Sequence, residues 1–230
     1  MPPKIIIPLI IIAFVIIAVL SYYLGKKQRI LRSLSKLKAK EILQFRTNEP
    51  TKVTGKVLHV HEPFVAPLSK RKCVAFQFKI QQKQHTGKNS YWKTLLDEKN
   101  IQDFFVESKG EVLMLKPSTN PTNFKIYLEE DKNVSSGFLK DPTPEFQTLL
   151  SAYNINSTDV FGFNKTIRYT ERILEVGETV TVGGIATWKA VDTTINGYSY
   201  SKIASLESND NQKIIITDLP AARVQKRKKL

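Results

Sequence analysis

The chain has 230 residues, 41% of them hydrophobic, which is enough for one sizeable core with accessory segments. Its net charge of +14 sits at the ends: nine cations (Lys4, Lys26, Lys27, Arg29, Arg32, Lys36, Lys38, Lys40, Arg46) precede Thr47 against Glu41 alone, and five follow Ala222. The near-neutral body between them argues against a nucleic-acid-binding domain, whose cations belong on the folded module, and a single cysteine, Cys73, excludes an intrachain disulfide and a cysteine-built zinc site.

Residues 5–24 carry no charge and are rich in Ile, Val, Leu and Phe. As a helix rising 1.5 Å per residue they reach roughly 30 Å, the thickness of a bilayer's hydrocarbon core. The expectation is an uncleaved anchor over residues 1–25, since the apolar run exceeds that of a signal peptide and no small-x-small site precedes Lys26. Lys26, Lys27, Arg29, Arg32, Lys36, Lys38 and Lys40 follow at once, so the positive-inside bias places the rest of the chain in the cytoplasm of a bacterial cell, with an organelle membrane as the alternative.

Residues 26–46 are expected to form a basic amphipathic helix. At 100° per residue Ile30, Leu31, Leu34, Leu37, Ile42 and Phe45 share one arc, with Leu43 outside it. Two readings stand side by side. The arc rests on anionic lipid, with the seven cations at the headgroups, or it packs on the domain or on a second copy of the chain. Residues 223–230 read as a basic tail that can touch the same lipid surface.

Beyond residue 47 the pattern changes to period 2, and residues 47–222 are expected to be one β domain. Strands are expected at 52–60, 73–80, 91–96, 101–107, 111–115, 124–128, 166–174, 178–182, 185–191, 198–206 and 213–217. Lys109-Gly110, Val176-Gly177 and Asn196-Gly197 supply turn chemistry, and so many short strands imply a barrel or sandwich. One helix interrupts them, with Thr143 as N-cap, Pro144 at the first position and a stripe of Phe146, Leu149, Leu150 and Tyr153. Residues 131–143 read as a long loop. The fold class is therefore mainly β behind two N-terminal helices, with one inserted helix.

The stretch VAPLSKRKCVAFQFKIQ decides between a phosphate reader and a turn feeding a core strand. Alternation predicts Val74, Phe76, Phe78 and Ile80 inward and Ala75, Gln77 and Lys79 outward, which leaves Lys70 to Lys72 in a solvated turn. Here the chain resembles the GIDE, or BAM ("beside a membrane"), domain of mitochondrial and chloroplast membrane-bound E3 ubiquitin ligases and their prokaryotic relatives. The resemblance rests on VTGKV at 53–57, APLS-x3-C ending at Cys73, Trp92, DFFVESKGEVLMLKP at 103–117 and FGFNKTIRYTERILEVGETVTVGGIAT at 161–187. It implies structural roles for Gly55, Pro67, Cys73, Trp92, Gly110, Glu171, Gly177 and Gly184. The ligases also carry a RING domain, whose two zinc ions a chain with one cysteine cannot hold.

Each chemical candidate has a plain alternative. His59 and His61 share a strand side but lack further ligands, and Cys73 ahead of an apolar run reads as a small buried hydrophobe. Glu171 is expected to pair with Arg168 or Arg172, and the glycines to serve turns or bulges. The expected function is a membrane-proximal binding or sensing module with no catalysis, metal or cofactor of its own. A ligase-like component relying on a separate RING chain and a membrane-organising scaffold are the alternatives.

Overall fold

The computed structural model describes residues 3–117, 122–137, 140–190, 194–195, 198–199 and 202–223. In chain order the helices are α1 (Pro3–Leu24), α2 (Lys26–Ser35), α3 (Pro144–Ala152) and α4 (Pro220–Arg223). The strands are β1 (Lys38–Ala39), β2 (Pro50–His59), β3 (Phe64–Val65), β4 (Lys72–Thr86), β5 (Asn89–Ile101), β6 (Phe104–Ser108), β7 (Glu111–Leu115) and β8 (Phe124–Tyr127). They continue with β9 (Lys132–Ser135), β10 (Ile167–Glu175), β11 (Thr179–Ala190), β12 (Thr194–Ile195), β13 (Tyr198–Ser199), β14 (Lys202–Glu207) and β15 (Ile214–Thr217). The fold is mainly β, as the alternation predicts.

Two sheets build it. In the larger, β2, β6, β7, β14 and β11 pair in sequence and β11 returns to β2, closing a five-stranded barrel. Closure leaves no edge within that ring. The first part of β11 also pairs with β15, which carries β8 on its far side as an edge strand. The smaller sheet, β9-β10-β4 with β3 and β5 on β4, curves into a half-barrel whose concave face α3 fills. Thr143 caps α3 by accepting from the Phe146 amide at 3.3 Å, and Phe146, Leu149 and Leu150 are buried.

The junction between the two cores departs from simple alternation. Opposite β10 the register slips between Leu174 and Glu175, which pair with Ala75 and Cys73, so Val74 is the extra residue of a bulge. Cys73, Phe76, Phe78 and Ile80 line the half-barrel core, whereas Val74 and Ala75 both enter the barrel core. The expectation that Val74 faces with Phe76, and Ala75 faces solvent, is thus corrected by one inserted residue.

Other boundaries move for physical reasons. The strands expected at 178–182 and 185–191 are one strand, β11, running straight through Gly183-Gly184. A Cβ on Gly183 would meet Leu37 Cδ1 at 2.5 Å and Leu34 Cδ2 at 2.9 Å, and one on Gly184 would meet the Glu207 carbonyl oxygen at 2.9 Å. These glycines permit close approach, not a turn. Gly55 does the same more severely, because its Cβ would stand 2.1 Å from the Glu107 carbonyl oxygen where β2 meets β6. Gly110 and Gly177, with φ of 84° and 86°, do occupy turns that favour glycine. β9 occupies part of the expected 131–143 loop, and β4 and β5 extend into a long hairpin. The expected strand 198–206 is represented by β13 and β14; the Asn196-Gly197 turn and most of the 223–230 tail lie outside the described residues.

The amphipathic segment is shorter than its periodicity suggests. α2 ends at Ser35, and β1 and a single 3-10 turn, Ile42–Gln44, follow. The apolar arc is nevertheless buried, at Ile30, Leu34, Leu37, Ile42 and Phe45, while Leu43 is exposed. Ile30, Leu34 and Leu37 pack with Ile215, Leu219 and Ala222, so the partner of this face is the chain's own β15–α4 region, not lipid. Among the described residues no single helix is long and apolar enough to cross a membrane; Ile11–Leu24 and Lys26–Ser35 reach that measure together, with a 56° bend.

Candidate functional site

The APLS-x3-C element and Glu171 form one hydrogen-bonded unit in which Ala66, Leu68, Cys73 and Glu171 are buried. β10 alternates cleanly, turning Ile167, Tyr169, Glu171 and Ile173 into the half-barrel with none of their surface exposed. The Glu171 carboxylate accepts from the Leu68 amide at 3.0 Å, the Ser69 amide at 3.1 Å and the Tyr169 hydroxyl at 2.5 Å. The turn it holds is closed by Ala66 N to Arg71 O and Lys70 N to Ala66 O, with Lys70 at φ 59°. A buried acid is tolerable here because its oxygens replace lost water with three donors.

That arrangement overturns the expected pairing of Glu171 with a neighbouring arginine. Arg168 donates to Gln81 Oε1 at 2.9 Å and lies 4.0 Å over the Trp92 ring, a cation–π contact that fixes the long hairpin to β10. Arg172 pairs with Glu130 at 3.2 Å. On a strand, residues 168 and 172 face opposite to 171, so alternation itself forbids the pairing.

Burial, with Glu171 and Glu175 nearby, pushes the Cys73 thiol up to about 12, so it stays a thiol packed in the half-barrel core. Burial and the adjacent Glu171 likewise hold the Tyr169 hydroxyl in its neutral form. Neither group is prepared as a nucleophile.

The basic triplet lies where the turn enters β4, Lys70 and Arg71 before the strand and Lys72 as its first residue. Arg71 is held between Asp131 at 2.8 Å and Glu175 at 3.0 Å, and Lys72 stands 3.8 Å from Glu62. Asp131 also accepts from the Ile173 amide, knitting the triplet to β10. Among the described residues no group of three metal-ligating side chains is assembled; His59 Nδ1 lies 3.1 Å from the His61 carbonyl oxygen of its own bend.

The seven cations after α1 divide by role. Arg29 Nε donates to the Leu24 carbonyl at 2.7 Å and Arg32 to the Tyr23 carbonyl at 2.5 Å, so two guanidiniums cap the last turn of α1, where a helix favours positive charge. Lys27 reaches Glu129 at 3.6 Å and Lys40 pairs with Glu49. Lys26 and Arg29, with Ile30, Ser33, Lys125 and Ile126, line a cleft of about 290 Å³ between α2 and β8.

One feature is invisible to periodicity. Val160, Phe161 and Phe163 are 93%, 82% and 56% exposed at the tip of a turn before β10. The Asp159 carboxylate accepts from both the Phe161 and Phe163 amides at 2.9 Å, and the Asp159 amide donates to the Phe163 carbonyl. The turn is rigid because its polar backbone is satisfied internally, and it presents apolar side chains outward. The adjacent V-F-G-F run bounded by Asp159 and Asn164 is the signal that could have found it.

No family model, curated protein or solved structure matches the chain.

Proposed function

We propose that this protein is a membrane-tethered binding module of the GIDE/BAM kind, in which α1 enters a bilayer and the double β body recognises a partner at its surface. The observation that supports it most is the contrast between two successive helices. α1 leaves Ile11, Phe14, Ile17, Leu20 and Leu24 more than half exposed, whereas α2 buries its apolar face on the body. A helix with exposed apolar residues needs an apolar solvent. The docked α2 and the guanidinium caps at Gly25 then hold the body at a fixed distance from it.

The acid, thiol and phenol with perturbed surroundings are engaged in holding the fold, which favours binding over chemistry. The recognition surface is the Val160–Phe163 turn. Its apolar tip is preorganised, so a partner with a complementary apolar pocket would pay little ordering entropy. A photocrosslinker placed at Val160 in the full chain in native membranes should give a discrete adduct that Phe161→Ser abolishes. The same crosslinker at Tyr91, 51% exposed on the hairpin, serves as control. Equal labelling from both positions, insensitive to Phe161→Ser, would remove the turn from the account.

A further inference from the structure

The cleft between α2 and β8 gathers three cations that lack counter-ions. Lys26, Arg29 and Lys125 line it together, and among the described residues none of them forms an ion pair. Their sequence neighbour Lys27 pairs with Glu129 at 3.6 Å, whereas no acid lines the cleft. Arg29 Nε is engaged by the Leu24 carbonyl, but its remaining N–H groups and the Lys26 and Lys125 ammoniums, all solvent-exposed, present positive charge that an anion would complement. Ser33 adds a hydroxyl, and Ile30 and Ile126 give the hollow an apolar floor.

Two further observations say which anion. Tyr22 and Tyr23, 65% and 56% exposed, stand in the last turn of α1, the place where amphipathic aromatic rings sit at a membrane–water interface. Lys26 and Arg29 follow within the first turn of α2, which puts the cleft at headgroup level. Ile126 also lines a second hollow beside edge strand β8, about 260 Å³, whose apolar part is Ala75, Phe76, Ile101, Phe124 and Leu128 and whose polar rim is Gln77, Lys99 and Asn100. Cationic and apolar halves thus adjoin at one strand.

We infer that the cleft binds one anionic phospholipid of the bilayer that α1 enters, its phosphate among Lys26, Arg29 and Lys125 and one acyl chain laid over Ile126 into the apolar hollow. The inference rests on the reading of α1 as an anchor. It makes the lipid a structural wedge between α2 and β8 and ties the angle of the body to the charge of the leaflet.

The full chain reconstituted in phosphatidylcholine nanodiscs containing phosphatidylglycerol, then extracted gently and weighed by native mass spectrometry, should retain one phosphatidylglycerol. The double variant K26Q/K125Q, which leaves the Arg29 cap on α1 in place, should lose about tenfold in retention, while K36Q/K56Q, which removes equal charge elsewhere, should stay within about twofold. Lysophosphatidylglycerol should displace the retained lipid, and glycerol phosphate or inorganic phosphate should not. Equal loss in both doubles would reduce the effect to diffuse attraction, and displacement by inorganic phosphate would make this a free-anion site; either overturns the inference. If the chain fails to enter the bilayer, the anchor reading falls separately. The two doubles must then still differ toward lysophosphatidylglycerol in solution, or the cleft is no lipid site.

Discussion

Leu68 and Glu171, 103 positions apart in sequence, meet through a 3.0 Å hydrogen bond from the Leu68 amide to the buried carboxylate. The bond ties the turn before β4 to the middle of β10 and so fixes how the half-barrel closes. Glu171→Ala would leave the buried Leu68 amide, the partly buried Ser69 amide and the Tyr169 hydroxyl without an acceptor, a loss of about 3 kcal/mol or more. Tyr169→Phe removes one donor and should cost about 1 kcal/mol, leaving the amides satisfied. Urea unfolding of the two variants measures the order, and a Glu171→Ala cost below that of Tyr169→Phe would contradict it.

Gly55 and Gly183, which both accept close approach, should respond unequally to alanine. At Gly55 the obstacle is the Glu107 backbone, which cannot move without opening the barrel, and Gly55→Ala should cost about 3 kcal/mol. At Gly183 the obstacles are the ends of Leu37 and Leu34, which can turn, so the cost should be about 1 kcal/mol and should appear as looser docking of α2. Hydrogen exchange in α2 distinguishes this from a uniform loss: only Gly183→Ala should raise it selectively.

Asp218 provides a pH signature. Burial lifts its carboxyl to about 6 from an ordinary 3.8, although both oxygens accept from the Glu129 amide. Because the folded value lies above the unfolded one, the folded state binds more protons between them, and the Asp218 contribution to stability falls as pH rises from about 4 to about 6. Below that window the proton is bound in both states and the contribution is complete. Glu178 nearby is raised by burial as well and acts in the same direction. Asp218→Asn should therefore gain relative to wild type between pH 4 and pH 7, by roughly 2–3 kcal/mol at most. A difference between the two proteins that does not change with pH would contradict this.

The Val160–Phe163 turn should separate stability from recognition. Val160→Ser with Phe161→Ser removes exposed surface only and should shift unfolding by less than about 0.5 kcal/mol. Asp159→Ala should instead loosen the turn, because two amides lose their acceptor, and should weaken partner binding with the apolar tip intact. Thermal melts alongside the crosslinking yield check both.

Much of the body was legible because burial acts residue by residue: Phe76, Phe78 and Ile80 and the β7 span follow period 2, and the α3 stripe follows period 3.6. What escaped depended on contacts between distant segments. Val74 changes core because of a bulge that only its pairing with β10 reveals, and Gly183 reads as a turn until Leu34 and Leu37 are seen lying on it. The arc of Ile30, Leu34 and Leu37 follows from periodicity, but periodicity names neither β15 and α4 as its cover nor the end of the helix at Ser35. Glu171 stood out as a residue to watch, yet its partners come from a turn a hundred positions earlier.

The account depends first on α1 sitting in a bilayer while the β body stays outside. Alkaline carbonate extraction of membranes from cells expressing the full chain, with an impermeant maleimide applied to Phe14→Cys and Phe161→Cys variants, tests both halves at once, since Cys73 is buried. The account predicts that the chain stays in the pellet, that position 14 is protected and that position 161 is labelled once the cytoplasmic face is open. Release into the supernatant with position 14 labelled in intact membranes would contradict it.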